Sequence, residues 1–264
     1  MRSQITYAQD VKGPIYTLHS DLSASCHYNE QKEFVFEGDI GREAYHCFRD
    51  VYTPGTEIIR ITSNGGLAAH GIIIANILKQ ENFHLIVEKR CVSACAIYIV
   101  PLANELSVPI GSGIILHGAP SKDTDDNPAY KRDAIEKLVT SGYTTSEAEQ
   151  ELNESFKYTD IQIAEGNKIK ALHNIRDGWF MEPGKWSDNI NHEPIRISAE
   201  SWLNDNDTNG LLVDRRFLES CLPDVKIKKF HGPSHPSHIT DSTFQSRIVG
   251  ANLSVRKDAI CLTQ

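Results

Sequence analysis

The chain has 264 residues, of which 40% are hydrophobic, so it can bury a sizeable core and does not have the composition of a disordered protein. Its 35 acidic and 27 basic residues give a formal net charge of -8, and no dense run of Lys and Arg is present to neutralise a phosphate backbone, which excludes nucleic acid as an expected partner. No apolar stretch reaches the roughly 18 residues of a membrane span, and the first residues, MRSQITYAQD, lack the apolar segment of a signal peptide. We therefore expect a soluble protein with no membrane partner.

The first half of the chain alternates strand patterns with helix patterns. Strands are predicted where short apolar or alternating runs stop at turn residues, at 33–40, 57–63, 84–89, 106–109 and 113–118. Helices are predicted between them, at 43–48, 67–78 and 94–100, and the last should be buried because it is apolar all round. This alternation predicts an α/β fold with a largely parallel sheet.

The sequence then becomes helical and finally rich in loops. Asn127 and Pro128 have the pattern of an N-cap and a first helical residue, and Ser146 with Glu149 predicts the capping box of a long helix that reaches about Ile175. Two further strands are predicted at 211–213 and 225–230.

Three polar features follow strands of the predicted sheet. They are the turn at residues 63–66 (SNGG), Ser93 at the start of the buried helix, and His117 at the end of the strand GIILH. The carboxyl ends of parallel strands meet at one edge of a sheet, where ligands collect. Acyl transfer needs a nucleophile, a base and two backbone N–H donors for the oxyanion, and this trio can supply them.

Each of these features also has an ordinary structural interpretation. Ser93 by itself is more often an N-cap, His117 can be a satisfied core histidine, and Gly65 with Gly66 can be a simple turn. All three features occur together, and as a set they can supply the groups that an acyl-transfer site requires. We therefore prefer the catalytic interpretation to these alternatives.

The succession ITSNGG (61–66), CVSACA (91–96) and ILHGAP (115–120) resembles the Clp protease proteolytic subunit and its poorly characterised bacterial and phage relatives in the ClpP/crotonase fold. The resemblance covers roughly residues 33–185. It implies a ββα superhelix with a long helix after the core. Together with the loop-rich composition after Pro183, it predicts three regions, which are an N-terminal extension at 1–30, a Clp-like catalytic domain at 31–190 and a loop-rich C-terminal appendage at 191–264.

Carried over by position, the resemblance implies Ser93 as nucleophile, His117 as general base, and Gly66 and Ala94 as oxyanion-hole donors. The sequence departs from the family at Asn64, where the family has proline, and at residues 90–92, where the family has a glycine before the serine region.

The third member of the implied triad comes from the segment NIRDGWFMEP, which offers Asn174 and Asp177. We prefer Asp177 because a carboxylate stabilises the imidazolium that forms, whereas gapless matching favours Asn174.

The resemblance implies a serine endopeptidase that acts on a peptide or protein substrate and assembles into a homo-oligomer. It leaves open whether an ATPase is a partner. A catalytically silent scaffold or binding protein and a crotonase-type acyl-CoA hydratase or isomerase remain alternatives. The hydratase would need a carboxylate base, and none lies beside Gly66 or within 91–96. We expect no cofactor and no metal, and the histidines of HGPSHPSH (231–238) more often belong to a solvated loop.

The six cysteines are too sparse to predict a disulfide scaffold, and none forms a C-x-x-C pair. We expect a cytoplasmic protein, with a periplasmic or exported location as the alternative if a signal peptide was removed. We also predict that Cys91 and Cys95 are not bonded to each other, because residues four apart near a helix start rarely have disulfide geometry.

Overall fold

The computed structural model describes residues 22–116, 128–140, 142–180, 195–197, 208–232 and 248–249. The strands in this part of the chain are β1 (Ala24–Tyr28), β2 (Phe34–Gly38), β3 (Ile58–Ser63), β4 (His84–Val92), β5 (Glu105–Val108), β6 (Gly113–Leu116), β7 (Ile195–Ile197), β8 (Thr208–Leu212), β9 (Lys226–Phe230) and β10 (Ile248–Val249).

The helices lie between these strands and in one helical segment after β6. They are α1 (Arg42–His46), which continues as a π-helical turn at Cys47–Val51, then α2 (Ala68–Leu78), α3 (Ala94–Tyr98), α4 (Pro128–Thr140), α5 (Thr145–Leu172) and α6 (Arg215–Cys221). Short 3-10 turns lie at Val100–Leu102 and Asp177–Phe180.

The centre of the sheet is parallel. β2, β3 and β4 pair in that order, and β4 then pairs with two strands, with β5 through residues 84–86 and with β6 through residues 90–92. The sheet therefore divides along β4. The chain is a mixed α/β protein with a mostly parallel sheet, as the alternating sequence pattern predicts.

The margins of the sheet are antiparallel or come from the C-terminal region. β1 pairs antiparallel with β2, and β8 pairs antiparallel with β6. β9 lies parallel to β5. Residues 208–230, which the sequence places in the C-terminal region, thus extend the same sheet as the predicted catalytic domain.

The core is built from the strands that the apolar patterns predict. Phe34 and Phe36 on β2 are fully buried and pack against Phe48, because alternate residues of a strand point to one face. Helix α3 is buried along its whole length, as its all-apolar sequence predicts. Trp179, which is also fully buried, donates a hydrogen bond from Nε1 to the carbonyl of Ile97 at 3.3 Å and so fixes the 3-10 turn against α3.

Several elements differ from the predictions. The sequence patterns did not indicate β1 and α6. The capping box of α5 is formed by Thr144 and Glu147, two residues before the predicted pair, and the helix ends at Leu172. Both positions offer a hydroxyl three residues before a glutamate, so the sequence pattern alone does not distinguish them. Pro128 begins α4 as predicted, whereas Asn127 lies outside the described residues.

Candidate functional site

Ser93 lies in the turn between β4 and α3, and its backbone has an unusual conformation. Its φ is 55° and its ψ is -126°, close to the first central position of a type II′ turn. Residues other than glycine rarely adopt a positive φ, and such a residue costs on the order of 1 to 3 kcal/mol. The strain indicates that the surrounding structure imposes this conformation on a serine.

The Ser93 hydroxyl does not cap the helix that it precedes. No hydrogen bond joins this side chain to the first turn of α3, all of which is described. The residue is only 8% exposed and is held through its backbone, since its N–H donates to the carbonyl of Ile115 at 3.0 Å. Ser93 therefore occupies the N-cap position of α3, but its side chain does not cap the helix.

A disulfide joins Cys91 and Cys95, so the prediction that these residues are not bonded is wrong. Their Cα atoms are 5.3 Å apart, within the range that a disulfide spans. The prediction assumed an ordinary helix start. The turn at Ser93 instead folds the last residues of β4 back over the first residues of α3, which brings the two side chains together.

The glycine turn after β3 lies directly against the turn that carries Ser93. Gly65 has φ 86°, and a Cβ placed on it would lie 2.4 Å from Ser93 Cβ and 2.3 Å from the carbonyl oxygen of Val92. Gly66 has φ 152°, and a Cβ there would lie 2.1 Å from the carbonyl oxygen of Ile40. Only glycine fits at either position, both for its backbone conformation and for its space.

Backbone N–H groups at this junction are available as donors. The carbonyl of Gly65 accepts from the N–H of Ile40 at 2.6 Å, and the N–H of Leu67 donates to the carbonyl of Ile40 at 2.8 Å. Neither Gly66 nor Ala94 donates its N–H to an acceptor within the described ranges. The two residues predicted as oxyanion-hole donors thus have free N–H groups in neighbouring turns.

The two departures from the family pattern contact each other. Arg90 Nε donates to Asn64 Oδ1 at 2.6 Å, and Asn64 Nδ2 donates to Asp39 Oδ1 at 3.0 Å. These hydrogen bonds connect the glycine turn to β4 and to the end of β2. Nothing in the sequence pattern indicates this contact, because the two positions lie 26 residues apart.

His117 lies outside the described residues. The strand that precedes it, β6, ends at Leu116 and pairs with β4 so that Ile115 lies opposite Val92. The carboxyl end of β6 is therefore adjacent to the Ser93 turn.

The two candidates for the third triad member are both at the surface. The Asp177 carboxylate forms an ion pair with Lys170, and its side chain is 53% exposed. Asn174 is exposed and has φ 49°, a left-handed conformation that asparagine tolerates. Neither arrangement by itself favours one candidate over the other as the partner of His117.

His70 is a titratable residue of this region that the sequence patterns did not single out. It lies in the first turn of α2, and the next residue, Gly71, approaches Ala94 so closely that a Cβ on it would lie 3.2 Å from the Ala94 methyl group. Burial, with a smaller contribution from Arg42, lowers the pKa of His70 to about 4. Its imidazole is therefore neutral at pH 7.

Comparisons with known proteins provide no further assignment, since no family model and no curated protein matches the chain. Within the described ranges, no group of three or more His, Cys, Asp or Glu side chains is placed to hold a metal ion. The described helices include none that is long and apolar enough to cross a membrane.

Proposed function

We propose that this chain is a serine peptidase of Clp-like fold that hydrolyses peptide bonds through an acyl-enzyme on Ser93. His117 acts as general base, Gly66 and Ala94 donate their N–H groups to the oxyanion, and Asp177 orients the imidazolium of His117. The fold is a ClpP/crotonase-type superhelix. The substrate is a peptide or protein, and the active form is a homo-oligomer.

The conformation of Ser93 is the observation that carries this proposal. A serine that only capped a helix would have an extended backbone and a hydroxyl bonded to the first turn, whereas Ser93 has φ 55° and no such bond. Strained serines at strand-to-helix turns are typical of nucleophiles, because the turn presents the hydroxyl away from the backbone.

The arrangement of donors supports the same chemistry. A carbonyl attacked by Ser93 Oγ develops negative charge on its oxygen, and free N–H groups fixed in rigid turns stabilise that charge without reorganising. The free N–H of Ala94 follows the nucleophile directly, and that of Gly66 comes from the turn packed against it.

Labelling with a fluorophosphonate tests the proposal. We expect the wild-type protein to be labelled at Ser93, and we expect Ser93→Ala and His117→Ala to lose both labelling and peptide hydrolysis. Ser112→Ala is the matched control, because Ser112 is also buried but its hydroxyl donates to the carbonyl of Glu88 at 2.6 Å. The control should be labelled as the wild type is.

The same assay distinguishes the candidates for the third member. If Asp177 orients His117, Asp177→Asn should reduce turnover by about 10⁴-fold, as the corresponding change does in known triads, and Asn174→Ala should have little effect. The opposite result would assign the role to Asn174. A wild-type protein that is never labelled would favour a silent scaffold, and binding of a CoA thioester would favour a crotonase-type enzyme.

The disulfides bear on where the protein works. Every described cysteine is disulfide-bonded, namely Cys26, Cys47, Cys91, Cys95 and Cys221. Disulfides persist in oxidising compartments and are rare in the cytosol. We therefore favour the periplasmic or exported location over the cytoplasmic one, and disulfide mapping of protein isolated from its native cells would decide between them.

A further inference from the structure

The Cys91–Cys95 disulfide encloses the turn that carries Ser93. Cys91 is the second-last residue of β4 and Cys95 is the second residue of α3, so Ser93 is the central residue of the closed segment. A covalent link across so short a segment restricts few chain conformations outside the segment. Its main effect is on the backbone between the two cysteines.

The conformation of Ser93 requires such a restriction. A serine with φ 55° is unfavourable in the absence of external constraints, and a turn free to relax would return to negative φ. Helix capping does not supply the constraint, because the hydroxyl makes no bond to α3. The backbone hydrogen bond to Ile115 fixes one end of the turn, and the disulfide closes its other side.

The burial of the disulfide indicates a permanent restraint. Cys91 and Cys95 are both fully buried, so a reductant has no access to them while the chain is folded. Low accessibility is typical of structural disulfides, whereas regulatory disulfides are exposed.

We propose that Cys91 and Cys95 are positioning residues, and that their disulfide holds the Ser93 hydroxyl in the orientation from which it attacks the substrate. This inference rests on the proposed role of Ser93 as nucleophile. The disulfide does not contact the substrate, and it acts through the backbone of Val92, Ser93 and Ala94. It also keeps the Ala94 N–H directed towards the oxyanion.

The second disulfide provides a matched control. Cys26 on β1 and Cys47 after α1 are bonded with a sequence separation of 21, and they lie in elements that do not carry the candidate site. Removing that bond should affect the stability of the N-terminal elements and leave the Ser93 turn unchanged.

The experiment compares the double variant Cys91→Ala/Cys95→Ala with Cys26→Ala/Cys47→Ala. For each we would measure the second-order rate constant of fluorophosphonate labelling, and kcat and KM for a peptide substrate. Misplacing a nucleophile by about 1 Å costs on the order of 100-fold in rate, so we expect a loss of that size in labelling and kcat for the first variant, with KM nearly unchanged. The control should keep wild-type rate constants in the temperature range where it is folded.

A second variant guards against a failure to fold. If Cys91→Ala/Cys95→Ala does not fold, Cys91→Val/Cys95→Ala fills more of the buried volume and should show the same loss of kcat. Either folded variant labelling at the wild-type rate would overturn the inference while leaving Ser93 as the nucleophile.

Failure of the proposed function gives a different result. If the wild-type protein is never labelled, Ser93 is not a nucleophile, and a crystal structure of the disulfide-free variant then tests the positioning directly. A shift of Ser93 to negative φ would support the disulfide as the restraint on the turn. An unchanged positive φ would overturn it.

Discussion

Two of the described helices begin after a hydroxyl residue, and the two residues behave differently. Thr144 precedes α5 with φ -69° and ψ 157°, and its hydroxyl oxygen accepts a hydrogen bond from the N–H of Glu147. Ser93 precedes α3 with φ 55°, makes no capping bond and is buried. The Thr144 hydroxyl contributes to helix stability, whereas the Ser93 hydroxyl makes no such contribution and sits in a conformation that costs energy. A hydroxyl held at such a cost is the feature expected of a reactive group.

The largest expected difference between the two helix starts is in activity, after each hydroxyl residue is replaced by alanine. We expect Ser93→Ala to abolish fluorophosphonate labelling and reduce peptide hydrolysis by several orders of magnitude, because no nucleophile remains. Thr144→Ala should leave both unchanged. Labelling kinetics and peptide turnover measured on both variants check this, and loss of labelling in Thr144→Ala alone would contradict it.

The packing of the glycine turn against Ser93 can be tested with two glycines of almost equal φ. Gly65 has φ 86° and no room for a Cβ, whereas Gly55 has φ 85° and a Cβ placed on it would meet nothing within 4 Å. Alanine at either position should lower the free energy of unfolding by about 1 to 2 kcal/mol, because the backbone there is left-handed. Gly65→Ala should lower the free energy of unfolding by about 1 to 3 kcal/mol more, because the added methyl group overpacks the site. It should also lose fluorophosphonate labelling.

Denaturant unfolding and labelling of the two glycine variants measure these effects. Equal losses of stability in Gly65→Ala and Gly55→Ala would show that the Ser93 turn can move away from the glycine turn. That result would argue against a rigid site.

Removal of the Cys26–Cys47 disulfide should lower stability without affecting the Ser93 turn. The loop that it closes, with a sequence separation of 21, corresponds to about 3 kcal/mol of unfolding free energy in the chain-entropy model. Denaturant unfolding of Cys26→Ala/Cys47→Ala under non-reducing conditions measures this loss. A stability equal to that of the wild type would mean that the bond does not restrain the unfolded chain.

The same two alanine variants should also differ in stability. Here the loss is expected in Thr144→Ala and not in Ser93→Ala. Thr144→Ala should lower the free energy of unfolding by about 1 kcal/mol, because it removes a cap. Ser93→Ala should not lower the free energy of unfolding in this way, since the Ser93 hydroxyl makes no capping bond that could be removed. Thermal or denaturant unfolding decides the matter, and a loss of about 1 kcal/mol or more in Ser93→Ala would restore the interpretation of a structural serine.

The smallest expected effect is a dependence on pH of the stability that the Thr144 cap contributes. Hydrogen bonds from the hydroxyl and the N–H of Thr144 hold the pKa of Glu147 below its ordinary value of 4.5. A lowered pKa in the folded state means that this contribution is fully present above pH 4.5 and is lost as the pH falls through the folded value. The stability difference between wild type and Thr144→Ala should therefore shrink below about pH 4.5. A constant difference down to pH 3 or so would show that Glu147 contributes nothing to the cap.

The sequence predicted the central part of the fold because its signals are local. Apolar runs of strand length ending in glycine or polar turns identified β2, β3, β4 and β6, and the helical spacing after Gly66 identified α2. β1 and α6 were missed because their residues are mixed in polarity. Pairing with β2 holds β1 in the sheet, and the burial of Phe217, Leu218 and Cys221 holds α6 against the core.

By itself, the sequence indicated which residues stand at the candidate site, since Gly65 and Gly66 follow a predicted strand and Ser93 directly precedes an all-apolar helix. Only the tertiary structure decided their conformation. The sign of φ at Ser93, the bond between Cys91 and Cys95, and the contact of Arg90 with Asn64 all depend on how β3 and β4 lie side by side. Local preference favours a capped helix start at Ser93 and separate thiols at the two cysteines. Contacts between distant segments oppose that preference, because the glycine turn after β3 packs directly against Ser93 and the N–H of Ser93 donates to the carbonyl of Ile115 on β6.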